Sequence, residues 1–109
     1  MTADQTANLS DAVLNQPNGI VLVWSHYSSN TVHNYQFNFD FIPKSFVSLH
    51  PGAGTTCIMA GVPFTPVASK YVYIHDNKIV GYKDNTATGT KNGITYANNQ
   101  YVLRYVISV

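Results

Sequence analysis

Four histidines, one cysteine and five aspartates are the side chains of this 109-residue chain that could ligate a metal, attack a carbonyl or move a proton. His26, His33, His50 and His75 form no His-x-His or His-x₃-His pair with a carboxylate beside it, so no metal site and no cofactor is expected. Cys57 lies in Thr56-Cys57-Ile58-Met59, an apolar setting that reads as a buried thiol rather than a nucleophile, and a single cysteine makes no internal disulfide. Asp40 follows a run of aromatic residues and has the chemistry of a general acid. Glycoside cleavage, however, needs two carboxylates across one bond, and with no glutamate in the chain a paired site is improbable. Ser25 and His26 are neighbours on a strand, so their side chains point to opposite faces and do not form a nucleophile–base pair. Pro51-Gly52-Ala53-Gly54 lacks the Gly-Lys-Ser/Thr of a phosphate loop and reads as a flexible loop. No catalytic residue is assigned, and the chain is expected not to be an enzyme.

The elements that would carry these side chains are strands. Pro17-Asn18-Gly19 launches the apolar run Ile20–Tyr27, and Tyr101–Val109 is a second β-branched and aromatic run, expected to be tied into a sheet. Tyr35, Phe37, Phe39 and Phe41 alternate with Asn34, Gln36, Asn38 and Asp40, which predicts a strand with the aromatic face buried and Pro43 at its end. Residues 55–60 predict a strand, and Lys70–His75 followed by Asp76-Asn77 and Lys78–Tyr82 predicts a hairpin. Residues 84–93 are small and polar and read as a mobile loop, and Ser10 is expected to cap a helical turn over Ser10–Leu14. Trp24 and Tyr105 are expected in the core. The resulting fold class is all-β, an antiparallel β-sandwich or jelly-roll-like domain over residues 1–109.

Composition removes whole classes of function. A formal net charge of +1 with scattered lysines leaves no basic patch for nucleic acid. No apolar stretch reaches the roughly 20 residues of a membrane helix, so no membrane insertion is expected. Hydrophobic content of 45% against 10% charged residues describes a folded domain rather than a disordered one. What remains is a surplus of tyrosine, eight in all, together with many asparagines. Tyrosine rings stack on the C–H faces of sugars and amides match hydroxyl pairs, so the surface suits saccharide. Loops vary more freely than a sheet framework, which selects the segments 27–34, 50–54 and 82–85, with Tyr27, His33, His50, Tyr82 and Asn85 as candidate saccharide contacts.

Four segments also carry a resemblance: Gln16-Pro17-Asn18-Gly19-Ile20-Val21-Leu22-Val23-Trp24-Ser25, Phe41-Ile42-Pro43-Lys44, Tyr71-Val72-Tyr73-Ile74 and Tyr101-Val102-Leu103-Arg104-Tyr105-Val106-Ile107. In this order and spacing the chain resembles the C-terminal domain of tail-tip, baseplate and receptor-binding proteins of tailed bacteriophages and prophages of Gram-positive bacteria. The resemblance runs from about residue 9 to the end and rests on framework strands, so it transfers no individual contact residue. It implies a virion component at the tail tip or baseplate, a homotrimer that meets other tail proteins and adsorbs to host cell-wall polysaccharide or another surface glycan. It also implies that the chain is the excised C-terminal head of a longer protein. The function expected is therefore host adhesion without cleavage. The alternatives are a structural tail or baseplate module and, behind it, a glycan-degrading domain.

Overall fold

The structure, a computed structural model, describes residues 1–2 and 5–109. It is mostly β, with 52% of the chain in strands and one short α-helix. In chain order the strands are β1 (Thr6–Asn8), β2 (Gly19–Ser28), β3 (Thr31–Val32), β4 (Asn38–Pro43), β5 (Ala53–Ala60), β6 (Val67–Ile74), β7 (Lys78–Val80), β8 (Thr88–Lys91), β9 (Ile94–Ala97) and β10 (Tyr101–Ser108). Helix α1 (Lys44–Leu49) follows β4, and 3₁₀ turns occupy Val13–Asn15, Lys83–Thr86 and Asn98–Gln100.

One sheet is built on β2, which pairs antiparallel with β10, β4 and β3. The other runs β1-β7-β6-β9-β8, with β5 also on β6, and is antiparallel except for one parallel bridge, Val67 to Tyr96. Their inward side chains share a single core: Ile20, Leu22, Trp24 and Ile42 from the first sheet, and Cys57, Met59, Val72, Ile74 and Ile79 from the second. The strands expected over residues 20–27, 55–60, 70–75 and 101–109 are present, the last two ending one residue early at Ile74 and Ser108, and so is the hairpin at Asp76-Asn77. So is the strand end at Pro43.

Five expectations need correction. The strand expected from Asn34 onward begins only at Asn38, since residues 34–37 are irregular with Gln36 at φ 54°, and within β4 the alternation holds but its faces are reversed. Phe39 and Phe41 point outward, while Asn38 and Asp40 turn in beside buried Ile42. The inward polar groups are satisfied there: Asp40 Oδ2 accepts from Trp24 Nε1 at 3.0 Å, and the Asn38 amide exchanges hydrogen bonds with the Ala60 backbone at 3.2 and 3.3 Å. A buried indole N–H needs an acceptor, and Asp40 supplies it. Tyr105 is also on the outside, because an irregularity in the β10 register between Leu103 and Tyr105 resets which side chains face the core.

Residues 84–93 are ordered rather than a loop. Asn92 and Gly93 have φ of 53° and 78°, the left-handed pair of a tight hairpin turn that joins β8 to β9. Ser10 caps nothing. The turn Val13–Asn15 receives its bonds from outside: Val13 N donates to the Asp76 carbonyl and Leu14 N to Asp76 Oδ1. Finally, Ala53 and Gly54 belong to β5 rather than to a flexible loop.

Candidate functional site

Residue 71 has no strand beside it on one edge of β6, because β9 bridges only at Val67 and β7 pairs only at Tyr73 and Ile74. Two asparagine side chains fill the gap. The Tyr71 N–H donates to Asn85 Oδ1 and Asn85 Nδ2 donates back to the Tyr71 carbonyl, both at 2.8 Å, so the amide acts as a substitute strand. Asn98 Oδ1 takes the Ser69 N–H at 2.8 Å, and its Nδ2 donates to the Asp84 carbonyl at 3.0 Å. Beneath them lies Lys70, buried, whose Nζ donates to the Asn85 carbonyl at 2.5 Å and to the Asn98 carbonyl. Burial pulls its pKa down to about 8. Lysine is rarely enclosed without a counter-charge, and here two carbonyls solvate it. The result is to fix the 3₁₀ turn 98–100.

That turn faces the tip of the β2–β3 hairpin. Ser29 and Asn30 adopt φ of 52° and 56°, giving a tight two-residue turn between paired Ser28 and Thr31. Left-handed backbone at a serine stores strain, so the turn must be held by its surroundings. Ser28 Oγ bonds His33 Nε2 at 2.9 Å, and His33 stacks on Tyr35 and His26 with ring centroids 4.9 and 5.5 Å away. Arg104, at the irregularity of β10, donates to Ser25 Oγ at 3.0 Å and to the His33 carbonyl at 3.2 Å. Burial and the neighbouring His33 hold the His26 pKa below its ordinary value.

Between these two turns lies an open depression of about 290 Å³ lined by Tyr27, Ser28, Ser29, Asn30, Asn99 and Gln100. Asn30, Asn99 and Gln100 line it and make no side-chain hydrogen bond among the described residues, so their amides are uncommitted. A tyrosine flanked by three free amides can stack on a ring and bind its hydroxyls. A larger groove, about 380 Å³ between β6 and the β8–β9 hairpin, includes Thr90, Tyr96 and Asn98 in its lining. Of its polar side chains, Asn98 is bonded at both ends and Thr90 Oγ1 pairs with Thr95 Oγ1 at 2.9 Å, while Ser69, Thr88, Lys91 and Tyr96 make no side-chain hydrogen bond among the described residues.

The predicted residues therefore separate. Tyr27 lines the depression, and His33 supports its hairpin from behind. Tyr82 lies elsewhere, half-buried with its ring edge-on to Tyr71 at 5.4 Å and Tyr73 at 6.5 Å. His50 is exposed at the end of α1 with its ring 6.0 Å from Phe46. Asn85 is corrected outright: it is 1% exposed and spent on backbone, so it offers nothing to a ligand. Asn99 and Gln100 were missed. Their signal was the amide run Asn98-Asn99-Gln100 between two β-forming segments, a place where a chain turns.

Cys57 and Asp40, considered for catalysis, are used by the fold. Cys57 is buried between the sheets, and burial together with the Asp40 charge pushes its thiol up to about 12, far from nucleophilic. Among the described residues no three His, Cys, Asp or Glu side chains gather as a metal set. No helix among them is long and apolar enough to cross a membrane. Comparison of the chain with protein-family models, with curated proteins and with solved structures found no match in any of the three.

Proposed function

We propose that this chain is the head domain of a receptor-binding protein at the tail tip or baseplate of a bacteriophage of Gram-positive bacteria, adsorbing the virion to host cell-wall saccharide without cleaving it. The observation that carries the reading is the depression in which Tyr27 meets the uncommitted amides of Asn30, Asn99 and Gln100, on two turns braced from beneath by Arg104, Asn98 and Lys70. Two sheets closing on one core support the finer fold reading, a sandwich or jelly-roll head that presents end loops on a rigid frame. Binding without cleavage is supported by Asp40, whose carboxylate is turned inward to the Trp24 indole. One shallow site of this kind binds near millimolar, about −4 kcal/mol, and becomes effective when a homotrimer and several copies per virion engage together.

The test is an array of Gram-positive wall polysaccharides probed with the labelled chain, multimerised on a bead to restore avidity. The expected result is retention on a subset of glycans that is lost in Tyr27→Ala and Gln100→Ala, with melting temperatures unchanged. Retention by tail proteins and by no glycan would instead favour a structural module. Release of reducing sugar would favour an enzyme.

A further inference from the structure

The outward face of the β2 sheet is largely exposed: its edge-strand side chains face solvent and only Val23, flanked by Phe39 and Tyr105, is buried. Because directly opposed residues of antiparallel strands share a face, the register sets two apolar rows across three strands: Phe39, Val23 and Tyr105 in one, Phe41, Val21 and Ile107 in the other. Phe39 is 70% exposed, Phe41 54%, Tyr105 51% and Ile107 47%. A surface strand ordinarily turns polar side chains to water, and here six successive outward positions carry none but a phenol hydroxyl. We infer that this face is the contact through which copies of this chain associate, each laying its two rows against another copy.

Three features select a second copy as the occupant. The first is area: with a full aromatic surface of roughly 200 Å² per ring, the rows expose on the order of 500 Å² of side chain, so two facing copies remove about 1,000 Å² from water before any polar rim is added. That reaches the lower bound for a specific interface, and each copy's patch lies toward the upper end of the roughly 300–600 Å² spanned by the largest apolar patch of a monomer. The second is charge. None of the six positions is charged, so a face meeting its own copy opposes no like charges. Arg104, the cation at the border, is already used by Ser25, His33 and Tyr105. The third is the weak charge of the whole chain, +1, which sets little repulsion between copies. The inference stands on residues separate from the saccharide depression, and either can fail without the other.

The test is the mass of the chain in solution by sedimentation equilibrium from about ten micromolar to about one millimolar. Wild type is expected to show twice or three times the mass of a single chain at the upper end. Phe39→Asp should stay a single chain throughout, with the circular dichroism spectrum and melting of an intact fold, since the replaced ring is outside the core. Ile107→Lys is the second variant and should behave alike. A wild type that remains a single chain at the highest concentration overturns the inference and leaves the face to a different tail protein. So does retention of the wild-type mass by both variants.

Discussion

Removing the side chain of Asn85 should unfold more of this protein than its position in a small polar segment suggests. Asn85→Ala deletes three hydrogen bonds to backbone: from the Tyr71 N–H and to the Tyr71 carbonyl at 2.8 Å each, and to the Met1 carbonyl at 2.6 Å. At 1% exposure there is little room for water to replace the amide, so the Tyr71 N–H and C=O are left without partners. Each orphaned backbone group costs about 1–3 kcal/mol, and the vacated volume adds to it, so the expected loss is about 3 kcal/mol. For a domain of this size that is a fall in melting temperature of roughly 10–20 °C. Urea unfolding followed by circular dichroism measures it, with the exposed neighbour Thr86→Ala as control, expected within about 0.5 kcal/mol of wild type. An Asn85→Ala variant as stable as the control would refute the substitute-strand role and with it the bracing of the two turns.

Trp24→Ala should cost about 3–5 kcal/mol, because a fully buried ring and its bond to Asp40 are both lost, whereas Tyr105→Ala, half exposed, should cost under about 1 kcal/mol; paired denaturation curves decide it. Lys70 should leave a signature at alkaline pH. Its folded pKa of about 8 lies below its unfolded value of 10.5, so between the two the unfolded chain binds more protons and stability rises with pH, while below about 8 the cost is constant. Subtracting the stability–pH curve of Lys70→Met from that of wild type should expose this rise, and a flat difference over that window would contradict the buried, uncompensated ammonium.

The framework was legible where the signal is local. The apolar runs of β2 and β10, the turn at Asp76-Asn77 and the stop at Pro43 each announce themselves within a few residues. Period alone does not say which face is buried. In β4 that choice is made by Trp24 and Ala60, residues 16 and 22 positions away from their partners Asp40 and Asn38, and no local pattern contains it. Strand β8 has no apolar residue, so it shows no alternation, although Asn92-Gly93 beside it was a readable hairpin signal. The site was half visible for the same reason. Tyr27 and the tip of its hairpin follow from a loop between two strands, but Asn99 and Gln100 reach the depression only because Asn98 and Lys70 tie their turn to β6. Asn85 reads as a loop residue until Tyr71, 14 positions back, is known to be its partner.

The most direct test of the adhesion reading is a ¹⁵N chemical-shift titration of the chain with purified host-wall polysaccharide carried to about millimolar repeat-unit concentration. The account predicts shifts concentrated in the backbone and side-chain amides of Tyr27, Ser29, Asn30, Asn99 and Gln100, abolished by Tyr27→Ala. Saturating shifts centred on another surface, or none across a panel of wall polysaccharides, would contradict it.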